Sequence, residues 1–108
     1  MEEKLKYDDV NYDKLPKSLQ GGARHYIERG IIPGSFLRAV ISNNLVEAVA
    51  RADDNNLPRL KEIVLWWYNE APGGCWGSEQ KMEAWSTKRY IELKGNHIAN
   101  VAKKLNNF

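Results

Sequence analysis

The stretch that decides the fold is "IVLWWYNEAPGGCWGS", residues 63–78. Its first six residues are apolar on every side of a helix, whereas a surface helix carries a single apolar stripe. The run 63–68 therefore predicts a helix at the centre of the fold or in a subunit interface. The proline and glycines that follow end this helix, and Ser78 is placed to cap the next one.

Helical spacing continues towards the N-terminus. Pro16 fits the first turn of a helix over residues 16–29, and the glycine after it ends the helix. Two interior glycines weaken this helix by roughly 1 kcal/mol each relative to alanine, so another segment approaches its backbone closely or the helix breaks there. Apolar positions between 37 and 52 then mark one long helix or two short ones joined at Asn43-Asn44, because asparagine caps helices better than it continues them.

The C-terminal part predicts two more helices and a tail. Asn56 is placed to cap a helix that ends near Asn69. The helix capped by Ser78 leads to a stop at Gly95, and a short amphipathic segment follows it.

No segment alternates apolar and polar residues as a strand does. The sequence therefore predicts an all-α fold, a compact single domain of five or six short helices. We expect three parts: an N-terminal extension over residues 1–14, a helical domain over residues 15–94 and an amphipathic tail helix over residues 95–108.

Composition predicts a cytoplasmic protein. Of the 108 residues, 43 % are hydrophobic and 28 % are charged, which is typical of a soluble globular domain. No apolar run reaches the roughly 20 residues that span a bilayer, and the charged start "MEEKLKYDDV" differs from a signal peptide. We therefore expect no membrane partner, and a single cysteine agrees with a reducing compartment.

The residues that could carry catalysis are few. His25 and Cys75 are the candidate base and nucleophile, but nothing in the sequence orients the histidine. The two histidines and the scattered carboxylates show no metal-ligand spacing. We expect no enzyme, no metal and no cofactor.

Charge argues against duplex DNA and leaves room for a small anion. A net charge of +2 provides no clustered basic face for many phosphates. A helix-turn-helix would have its turn at Asn43-Asn44 or at 53–56, and the second of these turns would place two aspartates towards the backbone of the DNA. Arg24 and Arg38 can instead bind a few phosphates in bidentate fashion, although arginine serves equally well in ordinary ion pairs.

Two helix starts have backbone N–H groups that suit an anion. Ser35 and Arg38 lie on one polar face after "PG", which is also how an ordinary solvated helix begins. In "APGGCWGS", Ser78 and its neighbours form the second start. The alternative interpretation of this loop is structural, a tight turn with Trp76 as a plug between helices.

Aromatic and amide side chains complete the candidate site. Trp66 and Trp67 cannot both point the same way, so one faces the core and the other an interface or a nucleotide base. We expect stacking from an aromatic group and recognition of base edges by asparagines, the candidates being Tyr26, Trp66, Trp76, Asn43, Asn44 and Asn69.

Residues 15–85 carry a pattern of anchors at fixed spacing: "GG…YI…G…PG.FL.A", "N.L..A..RAD..N", "YN.AP..CWGS" and a final tryptophan. This pattern resembles a widespread family of small proteins encoded by bacteriophages and prophages. The resemblance implies an antagonist of bacterial immunity, an oligomeric sponge that sequesters the cyclic nucleotides of the defence called CBASS. It also implies action in the cytoplasm of the host cell.

The sequence thus leads to three hypotheses. In the first, a homo-oligomer captures a cyclic di- or trinucleotide without cleaving it, with Arg24 and Arg38 facing the same hollow. In the second, a protein-interaction module inhibits a host defence protein by docking through its tryptophans. In the third, the chain is a small DNA-binding regulator.

Overall fold

The computed structural model describes residues 7–106, and their side chains up to residue 95. The described residues form α-helices and two short 3-10 turns and contain no strand, so the predicted all-α fold is confirmed. The helices are α1 (Lys17–Arg29), α2 (Ser35–Ile41), α3 (Leu45–Arg51), α4 (Leu60–Asn69) and α5 (Glu79–Asn106), and the 3-10 turns are Tyr12–Lys14 and Leu57–Arg59. None of these helices is long and apolar enough to cross a membrane.

The predicted bounds of α1 are confirmed to within one residue. Pro16 is its N-cap, and Gly30 ends it in the left-handed conformation with φ of 76°. The interior glycines do not break the helix. A Cβ on Gly22 would lie 3.3 Å from Leu37 Cδ1, so α2 approaches the backbone of α1 at this glycine, whereas Gly21 faces open space.

The region 37–52 forms two short helices. Asn43 adopts φ of 60°, a left-handed conformation that asparagine tolerates better than most residues. The Asn44 side chain accepts a hydrogen bond from the Glu47 N–H at 3.2 Å and so caps α3. Of the two alternatives from the sequence, the joint at the asparagine pair is the one observed.

The start of α4 differs from the prediction. Asn56 makes no side-chain capping bond, and the 3-10 turn Leu57–Arg59 precedes the helix. The carboxylate of Asp53 instead accepts hydrogen bonds from the N–H groups of Asn55 and Asn56. The short side chain of Asp53 reaches the backbone N–H groups two and three residues later, which is the usual geometry of an aspartate turn.

The helix capped by Ser78 is longer than predicted. The Ser78 hydroxyl accepts a hydrogen bond from the Lys81 N–H at 3.1 Å, which confirms the cap. The predicted stop at Gly95 is wrong, because α5 continues to Asn106. A single interior glycine costs about 1 kcal/mol, which does not end a long helix of good helix formers. The tail is therefore the second half of α5, and residues 107–108 and 1–6 lie outside the described part.

The core lies around α4, as the apolar run predicts. Trp66 and Trp67 are both buried, with exposed fractions of 3 % and 0 %, so the expectation that one of them faces outwards is wrong. The N-terminal segment covers the second face of α4. The Trp66 indole donates to the Asn11 carbonyl at 2.9 Å, and the ring of Tyr12 packs on it with centroids 5.8 Å apart.

Side chains of α5 bind the last carbonyls of α1. Trp85 donates its indole N–H to the Ile27 carbonyl at 3.1 Å, and the Ser86 hydroxyl donates to the Gly30 carbonyl at 2.5 Å. The Arg89 guanidinium donates to the Glu28 carbonyl through Nε at 2.9 Å. These bonds satisfy carbonyls that a helix end leaves unpaired, and they fix α5 against α1.

Candidate functional site

The loop 71–78 is built by its own backbone. Gly74 and Gly77 adopt positive φ values of 85° and 120°, and Cys75 between them is fully buried. The Gly77 N–H donates to the Ile41 carbonyl at 2.8 Å, at the end of α2. That N–H and the Ser78 hydroxyl both form hydrogen bonds within the protein. Two groups of the predicted anion site at this helix start are therefore already occupied. The loop serves as the structural turn that the sequence offered as its alternative.

Trp76 brings three predicted residues together. Its half-buried indole lines a small cleft between α2, α3 and α4, with Asn43 and Asn44 at the rim and apolar side chains inside. The cleft has a volume of about 80 Å³, well below the range of about 300 to 1,000 Å³ that is usual for small-molecule sites. It fits an apolar side chain of a partner better than a nucleotide.

The face of α3 beside this cleft is apolar and exposed. Leu45, Val46 and Val49 are 70 %, 76 % and 45 % exposed, and we call these three residues the α3 surface. The small Ala48 is the buried residue of α3, and it lines the cleft together with Leu45. α3 therefore directs its large apolar side chains to solvent, which is the reverse of an ordinary amphipathic surface helix.

A second cleft, about 470 Å³ in volume, lies between residues 7–12, α1 and α5. It gathers three arginines against two carboxylates, and we call it the arginine cleft. Its charged lining residues are Arg24, Arg29, Arg89, Asp8 and Glu28.

The three guanidiniums of the arginine cleft differ in their engagement. Arg89 is buried and bonded to the Glu28 carbonyl and to the Glu92 carboxylate. Arg24 is exposed, with its guanidinium 4.7 Å from the centroid of the Tyr12 ring and 3.8 Å from the Glu28 carboxylate. Arg29 is exposed and forms no ion pair within residues 7–95. Two of the three are thus open to a ligand.

Tyr12 is a neutral hydrogen-bond donor on the wall of this cleft. Burial raises the pKa of its hydroxyl above the ordinary value, and the carboxylate of Glu28 raises it further. The hydroxyl donates to that carboxylate at 3.0 Å. The long contact of Arg24 is to the same oxygen, Oε2 of Glu28, so the hydroxyl of Tyr12 and the guanidinium of Arg24 share one acceptor.

Trp66 and Asn69 line a third and wider groove, about 790 Å³ in volume, between the first 3-10 turn and α4. Its cations are matched by acids: Lys14 pairs with Glu70 at 2.8 Å, and Arg59 pairs with Glu62 at 2.9 Å. The hydrogen bond from Arg59 lowers the pKa of the Glu62 carboxyl. The groove therefore has no surplus of positive charge for an anion.

No family model, curated protein or solved structure matches the chain. The resemblance to phage proteins stays a prediction.

The predicted hollow with both arginines is not formed. Arg24 lines the arginine cleft, whereas Arg38 lies on the exposed side of α2 and lines none of the three clefts. Ser35 is also exposed, and Gly34 rather than Ser35 occupies the N-cap position of α2. Helix periodicity predicts the face of a residue on its own helix, but not which helices face each other.

Tyr26 is buried and therefore cannot contact a ligand. Its exposed fraction is zero, and its hydroxyl donates to the Cys75 carbonyl at 2.7 Å. The expectation that Tyr26 stacks on a base is therefore wrong. Its ring holds the loop 71–78 against the core, next to Trp67 at a centroid distance of 6.1 Å.

The two candidate catalytic residues, His25 and Cys75, lie in different surroundings. Burial raises the pKa of the Cys75 thiol to about 12, so the thiolate that a nucleophile requires is absent near neutral pH. His25 is exposed on α1. Within the described part of the chain, no group of three His, Cys, Asp or Glu residues is placed to hold a metal ion.

Sequence reasoning missed two features of the site. It used Leu45 and Val49 only to mark a helix and did not predict that they face solvent. It also did not include Arg29 and Arg89 in the candidate site. Arg29 lies in the last turn of α1, and Arg89 lies on α5. Only the packing of α5 on α1 brings them together.

Proposed function

We propose that the chain is a non-catalytic binding protein that docks on a partner protein through the α3 surface. The observation that carries this proposal is the exposure of three branched apolar side chains on one short helix. Contiguous exposed apolar patches on soluble proteins mark interaction sites more often than scattered single residues do. The resemblance to phage proteins makes a host defence protein the expected partner.

The surroundings of the α3 surface have the layout of an interface. The cleft lined by Trp76 lies beside Leu45 and accepts one apolar side chain of the partner. The polar rim includes the amide of Asn43 and the ion pair of Arg51 with Glu47, whose atoms are 3.2 Å apart. An apolar centre with a polar rim is the usual anatomy of protein interfaces. The predicted docking through tryptophans is thereby replaced by docking beside a single half-buried tryptophan.

A photo-crosslinking amino acid at Val46 tests this proposal. We expect it to trap one host protein in living cells, while the same probe at the exposed Tyr68 on α4 traps none. The purified partner is then titrated calorimetrically with the wild type, Val46→Glu and the matched control Tyr68→Glu. Val46→Glu is expected to weaken binding at least about tenfold, as removal of an interface anchor does. Equal affinity of all three chains would overturn the proposal.

A second function, the sequestration of a cyclic di- or trinucleotide, is favoured by the arginine cleft. Two exposed guanidiniums, those of Arg24 and Arg29, lie beside a buried tyrosine in a cleft of about 470 Å³. This volume falls in the usual range for small-molecule sites. Guanidinium groups bind phosphates in bidentate fashion.

Calorimetric titration against a panel of cyclic di- and trinucleotides tests the second function. The ligand should be recovered unchanged after the complex is heated. Arg29→Ala is expected to raise the dissociation constant about tenfold or more, since it removes a charged hydrogen-bonding partner. Arg38→Ala, which changes an exposed arginine that does not line the cleft, should have no effect. Absence of binding across the panel would remove this function.

A further inference from the structure

Between residues 79 and 95, where its side chains are described, α5 packs on the domain with one face. Its buried residues are Met82, Trp85 and Arg89, and Ser86 and Glu92 are half-buried. In a heptad written abcdefg with Ala84 at position a, all five fall at positions b, c and f. In a two-stranded coiled coil these positions face away from the partner helix.

The opposite face of α5 is exposed along the described length. It forms a shallow groove that includes Ala84, Thr87 and Ile91, and Ile91 is 61 % exposed. The residues at a and d are Gln80, Ala84, Thr87, Ile91 and Lys94. In the sequence, the same spacing continues with apolar residues at 98, 101 and 105, which are a, d and a. Gln80, Thr87 and Lys94 are polar, so the apolar residues of this register are Ala84 and Ile91 and, in the sequence, those at 98, 101 and 105.

The charges beside this face complement those of a second copy. Glu83 is at position g and Lys88 at position e, and both side chains are exposed. In a parallel two-stranded coiled coil, a g residue lies near the e residue that follows it by five positions on the other helix. Glu83 of each chain would then meet Lys88 of the other, twice over because the pair is two-fold symmetric.

α5 also has the length that such pairing needs. Its 28 residues span about 42 Å at 1.5 Å per residue. The radius of gyration of 16.2 Å exceeds the value of about 13 Å expected for a compact domain of this size. The domain is thus elongated, and the helix provides about four heptads, the length at which coiled coils become evident.

We infer that two copies of this chain pair through α5 as a parallel two-stranded coiled coil, with Ala84, Thr87 and Ile91 in the seam. This pairing gives the predicted homo-oligomer a defined interface. It leaves the α3 surface and the arginine cleft free, because both lie on other elements or on the body side of α5. The pairing does not depend on which of the two functions the chain performs.

Light scattering coupled to size-exclusion chromatography tests the pairing on the full chain. The wild type is expected to have twice the 12.4 kDa mass of one chain. Ile91→Glu should reduce the mass to that of one chain at the same concentration, with the helical circular dichroism of the domain retained. Leu93→Glu is the matched control, since Leu93 is also exposed on α5 but stands at position c. A monomeric wild type, a larger oligomer, or a dimer that survives Ile91→Glu would overturn the inference.

Charge reversal tests the parallel orientation. Glu83→Lys and Lys88→Glu should each raise the dissociation constant of the dimer about fivefold, since each replaces two attractive pairs by repulsive ones. The double variant restores both attractive pairs and should return the constant to the value of the wild type. A double variant weaker than either single variant would refute parallel pairing.

Discussion

Replacing Gly30 by alanine tests the packing of α1 against α5, which positions the arginine cleft. The φ of Gly30 is 76°. A Cβ at this residue would lie 2.6 Å from the carbonyl oxygen of Ser86 and 2.9 Å from the Cβ of Arg89. Both neighbours are fixed close to the backbone of α5 and cannot rotate away. The helix itself must move to accommodate the methyl group.

Three costs determine the expected loss of stability. The left-handed conformation costs alanine about 1 kcal/mol. Overpacking against a helix backbone costs about 2 kcal/mol. The shift of α5 also breaks the hydrogen bond from the Ser86 hydroxyl to the Gly30 carbonyl, worth about 1 kcal/mol. The sum of about 4 kcal/mol is a large part of the roughly 5 to 15 kcal/mol that stabilise a typical domain, and it predicts a drop in Tm of about 15 to 25 °C.

Urea unfolding followed by circular dichroism measures this loss. The measurement is made in the Ile91→Glu background, so that self-association does not add to the stability of the native state. Gly21→Ala is the control: Gly21 is helical, and nothing lies within 4 Å of its added Cβ. That variant should gain about 1 kcal/mol from helix propensity. A Gly30→Ala variant within about 1 kcal/mol of the parent would refute the reasoning, since even the left-handed conformation alone costs that much.

Two further predictions concern the buried contact between α1 and the loop 71–78. Tyr26→Phe should lower the free energy of unfolding by about 1 to 2 kcal/mol at neutral pH, because it leaves the Cys75 carbonyl without its hydroxyl donor. Burial raises the pKa of Tyr26, so the native protein keeps a proton that the unfolded chain releases above about pH 10. Wild-type stability should therefore fall above that pH more steeply than that of Tyr26→Phe in urea titrations, and equal slopes would contradict the assignment. Burial also raises the pKa of the Cys75 thiol to about 12; a thiol reagent at about pH 8 should label the native protein only as it unfolds, and labelling as fast as in urea would show an open loop.

Local sequence rules predicted most helix ends. Gly30 and Gly95, both predicted to end a helix, show a case in which these rules fail. Gly30 and Gly95 carry the same sequence signal for the end of a helix. At Gly30 the helix ends, and Trp85, Ser86 and Arg89 bind the carbonyls of its last turn. At Gly95 the helix continues. At Gly30, side chains of α5 bind the end of α1, and the sequence around a glycine does not predict such a contact.

The tryptophan pair shows a similar limit for the candidate site. Helical geometry correctly separates the directions of Trp66 and Trp67 by about 100°. This geometry does not predict how many faces of a helix are covered by other segments. Asn11 and Tyr12 cover the face that would otherwise be open, so both indoles are buried and neither can stack on a base. Trp66 is therefore excluded from the predicted site, because residues of the segment 1–14, which the sequence analysis treats as an extension, cover it.

The two surfaces proposed here have a common physical basis. On α3 the small Ala48 is buried while Leu45 and Val46 face solvent, and on α5 the apolar Ile91 faces solvent opposite the buried face. Burial of apolar surface contributes roughly 25 cal/mol per Å², so folding leaves part of the available hydrophobic free energy unused on both helices. That free energy remains available to association. Because the two faces belong to different helices, one can be used for a partner protein while the other is used for a second copy of the chain.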